Sequence, residues 1–278
     1  MLSQTSLQIA KIRPVPLPKY ASLVLASMER AIAYRKSTLL NLAANAVWIT
    51  ALYYFWSAIL SEYTIIDGYD WTKMQTYVVV SYGVNALFSL QFELQMFRAI
   101  RNGEIALDLI RPYDYQTSHL AKATGAALVD GVFVGATIAS VGVFIMDIYL
   151  PAPGTAAVFL VSIVLGFLIK FLISYITGLF CFWTVSSMGL VRTRIAVTNL
   201  LSGALIPIEF FPSGLQSIAE FSPFPAAVYT PVSIYLGNLA GGDLWTAIGV
   251  QVIWVIALWY VARLLWKPAV RVLVVQGG

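Results

Sequence analysis

Two ionisable side chains, Asp130 and Lys170, stand inside runs that are otherwise apolar. At the centre of a helix in hydrocarbon each would cost about 2.5–3.5 kcal/mol, so each is expected to face protein or water. Asp130 lies about ten residues, and Lys170 about thirteen, from one end of its run, so the two depths agree within about a turn. Their runs are consecutive and antiparallel, and the spacing predicts that they pair. Two roles are open to such a pair: a buried ion pair that fixes helix register, or a polar lining for a substrate path. Other candidates for chemistry are few. His119 is the only histidine and Cys181 the only cysteine, which leaves no disulfide and no metal-ligand cluster. None of the lysines follows a glycine, so the Gx4GK[ST] phosphate loop is missing and no catalytic residue is assigned.

Composition explains why those two charges matter. The chain has 278 residues, 59% of them apolar and only 11% charged, with mean hydropathy +0.80. A soluble domain carries about 25% charged residues. The shortfall argues against a water-soluble enzyme and for an all-α integral membrane protein. The net charge of +4 would suggest nucleic acid in a soluble protein. In a membrane protein it reflects basic residues retained on the cytoplasmic side, and no nucleic-acid partner is expected.

Six spans are predicted over 38–266: about Thr38–Leu60, Trp71–Leu90, Leu120–Ile148, Ala156–Trp183, a short fifth, and Leu244–Trp266. Residues 1–18, which include Pro14, Pro16 and Pro18, read as a cytoplasmic tail. In 19–37, Ala21, Val24, Leu25, Met28, Ala31 and Ile32 recur at helical spacing opposite Glu29 and Arg30, which predicts an amphipathic interfacial helix. Between Arg194 and Glu209 only fourteen residues remain, about 21 Å of helix and short of a roughly 30 Å core. Pro207, Pro212, Pro223, Pro225 and Pro231 then break 209–242 into short apolar pieces, which predicts re-entrant or interfacial helices. Six basic residues precede the first span, and four lie between the second and third. Two follow the fourth span and three close the last, in a tail over 267–278. The acidic Glu62, Asp67, Asp70, Asp147, Glu209, Glu220 and Asp243 fall on the other side, which puts both termini in the cytoplasm.

The connector after the second span reads Met96-Phe-Arg-Ala-Ile-Arg-Asn-Gly-Glu-Ile-Ala-Leu-Asp-Leu-Ile-Arg-Pro112. It resembles the Ile-Arg-x-Gly-Glu…Leu-x-Arg-Pro stretch of bacterial ABC type-2 family permeases, the transmembrane subunits of ATP-driven exporters. Ser202-Gly203-Ala204-Leu205-Ile206-Pro207, Phe211-Pro212, Pro223-Phe224, Tyr229, Pro231 and Gly237 follow in that family's order. Lys170 is a departure from the pattern.

The resemblance implies a multi-pass permease of the bacterial inner membrane that exports a drug, peptide or lipid-like molecule. It implies two copies of an ATP-binding subunit, which would carry ATP and Mg, and a second permease, identical or related. It also implies a coupling helix within 96–112 that meets the ATPase. There Phe97, Ile100 and Ile105 would pack in its groove, while Arg98, Arg101, Glu104 and Asp108 form a polar rim. Gly103 would break or tighten that helix, and Arg111-Pro112 would close the segment. Gly203, Pro207, Glu209, Pro212, Pro223, Tyr229 and Pro231 would shape an external gate. Two other classes compete. A membrane enzyme acting on lipid would need Asp130 with Lys170 as its acid and base. An ion-coupled carrier would show inverted repeats, which the two halves lack.

Overall fold

The computed structural model describes residues 19–33, 35–62, 65–87, 91–105, 108, 113–144, 151–184 and 187–273. The predicted tail over 1–18 lies outside the described residues, as do the last five residues of the chain. Every regular element among the described residues is helical. In chain order they are α1 (Lys19–Ala33), α2 (Arg35–Glu62), α3 (Trp71–Ala86), α4 (Gln91–Arg101), α5 (Tyr115–Phe144), α6 (Pro153–Phe180) and α7 (Ser187–Leu201). A 3-10 turn (Ile208–Phe210) leads into α8 (Ser213–Glu220), α9 (Phe224–Ala227), α10 (Tyr229–Tyr235) and α11 (Gly241–Leu273).

Local chemistry sets several of these boundaries. Asp70 caps α3 by accepting from the Lys73 backbone N–H at 2.8 Å. Asp114 does the same for α5, accepting from Thr117 N at 2.8 Å and Thr117 Oγ1 at 2.6 Å. Pro153 opens α6 at a position where its missing N–H costs nothing. The turn between α2 and α3 closes through Ile66 and Tyr69, whose backbones exchange two hydrogen bonds.

Among the described residues, three stretches are long and apolar enough to cross a membrane: Tyr115–Ile138, Pro153–Phe180 and Gly241–Val272. The other predicted spans differ in informative ways. Where the sequence predicts one span to Leu90, α3 ends at Ala86 and α4 begins at Gln91. With 16 residues, α3 is about 24 Å long, less than a hydrocarbon core. The fifth stretch, α7, starts earlier than predicted and has 15 residues. The proline-rich run forms the 3-10 turn and three short helices. Proline explains the shortness, because Pro207, Pro212 and Pro223 each sit at an element's N-cap and cannot extend a helix upstream.

The bundle is organised around α3 and α6. From Met74 to Val84 every residue of α3 is buried. Helix α6 packs most extensively on α11, and then on α10 and α9. One core cluster gathers Trp56, Tyr69, Tyr77, Ile169, Val228 and Val232 toward the Glu209 end of the bundle. A second gathers Met96, Ile105, Tyr115, Phe171, Tyr175 and Ala262 toward the Asp114 end. The predicted amphipathic helix α1 lies along α5, where Ser27 Oγ donates to Lys122 O at 2.6 Å and the Asp114 N–H reaches the Tyr20 hydroxyl at 3.3 Å. Leu25 and Ile32, from its apolar side, remain exposed.

A polar tie crosses the apolar interior. Gln251 of α11 is fully buried; its amide donates to Ser162 O at 3.1 Å and Ala226 O at 2.7 Å, and its carbonyl accepts from Ser162 Oγ at 2.9 Å. One side chain thereby joins α6, α9 and α11. Replacing it with Leu would keep the volume and orphan these partners, at a cost of about 1–3 kcal/mol. Gln251→Leu is therefore expected to lower the thermal midpoint in detergent clearly, while an exposed control such as Thr246→Ala leaves it unchanged.

Candidate functional site

The connector is sunk into the bundle on one side and bare on the other. Met96 and Ile100 of α4 are buried, Phe97 is half-buried and Arg98 is exposed. The helix ends with Asn102 N donating to Arg98 O at 2.9 Å and Gly103 N to Ile100 O at 3.2 Å. Gly103 has φ of +73°, the left-handed geometry that closes a helix and that a side chain would strain. The chain then turns back and buries Ile105 completely.

This placement corrects one expectation. Ile100 and Ile105 do not form an apolar face for another protein; they fill this chain's own core beside Tyr175 and Leu179. The helical spacing showed an amphipathic segment but not which body its apolar side meets. What protrudes is polar: Arg98, Asn102, Gly103 and Glu104, with Asn102 Nδ2 donating to Glu104 Oε1 at 3.2 Å. Asp108 is half-buried. The Arg101 side chain and residues Arg111 and Pro112 lie outside the described residues.

Just beyond the connector, Asp114 meets Arg263 of α11 through two hydrogen bonds, Nη1 to Oδ2 at 2.5 Å and Nη2 to Oδ1 at 3.0 Å. Asp114-Tyr-Gln-Thr117 is legible as a helix N-cap pattern ahead of an apolar run, but nothing in the sequence points from Asp114 to Arg263. Burial would raise the Asp114 carboxyl, but the hydrogen bonds from Arg263 and Thr117 outweigh it and hold the group below its ordinary value.

At the other end, Glu209 is the centre of a hydrogen-bonded cluster. Glu209 Oε1 accepts from the hydroxyls of Tyr229 at 2.5 Å and Tyr69 at 3.2 Å, and Asn238 Nδ2 donates to the Tyr69 hydroxyl at 3.1 Å. Burial first, and then the Glu209 carboxylate, push the Tyr69 phenol well above its usual value. The Tyr229 phenol is raised by the same two causes in the same order. Both phenols therefore keep their protons and donate. Next to this cluster the Tyr77 hydroxyl donates to Gly203 O. Gly203 has φ of +74°, and a Cβ there would lie 3.0 Å from Tyr229 Cβ and 3.1 Å from the Tyr77 oxygen. Pro207 and Pro212 bracket the 3-10 turn that presents Glu209, Pro223 caps α9, and Pro231 is buried in α10. A cavity of about 170 Å³ opens beside it, lined by Glu209, Glu220, Gln216, Tyr229 and Thr230.

In mid-bundle the expected Asp130–Lys170 pair does not form. The Lys170 ammonium donates instead to Asn85 O at 2.6 Å and Asn85 Oδ1 at 2.7 Å. Asp130 is half-buried on α5. The depths matched, but depth along a helix does not specify the neighbour: α6 packs on α11, α10 and α9, and only lightly on α5. The acid–base arrangement that a membrane enzyme would need is therefore not assembled from these two residues. His119 is buried against Tyr115, with ring centroids 4.2 Å apart, and the Cys181 thiol is buried and donates to Thr177 O at 3.7 Å. No cluster of three His, Cys, Asp or Glu side chains occurs among the described residues.

Two outcomes test this geometry. In a double-mutant cycle, Glu209→Gln and Tyr229→Phe are expected to couple by about 1–2 kcal/mol in unfolding free energy, because they share one charged hydrogen bond. Asp114→Asn keeps the helix cap and removes the ion pair, at a cost of about 1 kcal/mol after discounting for its exposure. A lowered folded pKa stabilises above the unfolded value of about 3.9, and that stability disappears as pH falls through the folded pKa. The stability gap between the unsubstituted chain and Asp114→Asn should hence stay flat from about pH 8 to 5 and close below about pH 4, as read by thermal unfolding.

No curated protein matches the chain. Over residues 46–277, well over half of its length, it matches the family model for ABC-2 family transporter proteins, and it belongs to that family.

Proposed function

We propose that this ABC-2 family membrane domain is the permease half of an exporter for a hydrophobic or amphipathic molecule. Membership of the family implies partnership with an ATP-binding subunit in general. In our reading two copies of that subunit bind ATP and Mg and carry out hydrolysis. A second permease, identical or related, completes the path, and the assembly sits in the bacterial inner membrane. In this reading the two termini and the Asp114 end face the cytoplasm, which the distribution of basic residues supports. The chain crosses six times, with α3 and α7 as its short crossings and the run from the 3-10 turn to α10 as re-entrant helices behind an external gate.

The observation that carries the docking part of this reading is the form of the connector. Its tip exposes Arg98, Asn102, Gly103 and Glu104, while Met96, Ile100 and Ile105 root it in the core. A polar tip on a rigid root suits a coupling element, because a push on it displaces the bundle instead of bending a loop. Arg98 and Glu104 offer charges of both signs to a partner, with Arg101 beside them in the sequence. Exposed charges contribute little to the fold itself, so they can be inverted without unfolding the chain.

Co-expression with a candidate ATP-binding subunit tests the assignment. The double variant Arg98→Glu, Glu104→Lys is expected to lose at least 10-fold in co-purified ATPase and in substrate-stimulated hydrolysis. Its own thermal midpoint should move by less than about 2 °C. Full assembly by that variant would remove the docking role from this segment.

A further inference from the structure

Helices α3 and α4, which the sequence reads as one span and its connector, are fastened to the same helix at two levels. The upper fastening is Lys170. Asn85 lies in the last turn of α3, where the negative end of the helix dipole gathers. The Lys170 ammonium, on a residue only 6% exposed, meets both the backbone oxygen and the side-chain oxygen of Asn85. A cation in that position donates to a carbonyl oxygen at the helix end and offsets the partial charge there. It does so in a medium of low dielectric, where both effects are strongest. Asn85 Nδ2 in turn points at Asn199 Oδ1, 3.4 Å away, which brings α7 to the same level.

The lower fastening is steric. Gly178 lies eight residues further along α6, about 12 Å. A Cβ at Gly178 would lie 2.5 Å from Met96 Sδ and 3.0 Å from Met96 Cε. The methionine of α4 therefore rests on bare backbone of α6, and any side chain at 178 would force the end of Met96 to shift. Helix α6 is itself bound to α11 through Ser162 and Gln251. One stiff helix thus holds the end of α3, the body of α4 and the long α11.

We propose that Lys170 is a positioning residue: by capping α3, which packs mainly on α2, α5 and α10, it ties that helix to α6, on which α4 is seated. On the transport reading above, displacement of the Arg98–Glu104 tip then reaches α6 and α11 instead of being absorbed between α3 and α4. The lysine's charge is consequently committed to the fold and is not a contact for an anionic substrate.

The test is amide hydrogen exchange, read by mass spectrometry on the full chain in nanodiscs of phosphatidylethanolamine and phosphatidylglycerol. Peptides covering 83–87 and 95–105 report the two fastenings, and 155–166 on α6 serves as the reference. Lys170→Met is expected to speed exchange about 10-fold in the first two windows and leave the reference within about 2-fold. Lys170→Arg, which keeps a cationic donor, should stay within about 3-fold of the unsubstituted chain. Asn85→Ala leaves the backbone acceptor in place and should give an intermediate rise of about 3-fold in 83–87. If Lys170→Met does not fold, that rise in Asn85→Ala decides the matter, and its absence overturns the proposal. Unchanged exchange in Lys170→Met, an equal rise in the reference window, or Lys170→Arg behaving like Lys170→Met also overturns it. A Lys170→Met protein with native exchange but altered export would show instead that the lysine lines the path. None of the exchange readouts requires an ATP-binding partner, so loss of the docking assignment and loss of this one are separate results.

Discussion

A carbonyl oxygen outside a helical ladder has nowhere cheap to go in an apolar medium. Without water, an unmet backbone acceptor costs several kcal/mol, and short helices multiply such ends. This chain has many short helices, and side chains supply its donors. Lys170 serves Asn85 at the end of α3, Gln251 serves Ala226 in α9, and Tyr77 serves Gly203 after α7. Each donor comes from a different helix than its acceptor, so satisfying the backbone and assembling the bundle are the same event.

This constraint gives Lys170, Gln251 and Tyr77 a common purpose. Gln251 and Lys170 resemble candidates for substrate contact when read in isolation, because polar groups within membrane helices so often serve function. Both are turned toward backbone oxygens of neighbouring elements. What remains on the surface is sorted by end. The Arg98–Glu104 tip and the Asp114–Arg263 pair occupy one end, and the Glu209 cluster with its cavity occupies the other. The long helices α6 and α11 run between them. Such an arrangement suits a device that converts a push at one end into a rearrangement at the other.

Much of this was legible in the chain. Apolar run lengths located α2 and α6 to within three residues and α5 and α11 to within about seven, and the proline series marked where long helices must give way to short ones. The grouping of Gly203, Glu209 and Tyr229 was also visible, since all lie in one proline-rich stretch. The partners Tyr69, Tyr77 and Asn238 were not, because they reach the cluster from elsewhere in the sequence. The same limit hid Arg263 opposite Asp114, although the cap pattern at Asp114 was readable.

Sequence by itself determined the class of molecule: too little charge for water, helical runs of membrane length, and basic residues segregated by position. Those properties are local or cumulative along the chain, so one dimension records them. The tertiary structure decided which residue each buried polar group meets. Asp130 and Lys170 share a depth, which the sequence shows, but not a neighbour, which depends on how helices are arranged around one another. Ile100 and Ile105 likewise have the pattern of a docking face and the location of a core. Periodicity gives a helix its sides, and only packing assigns what each side touches.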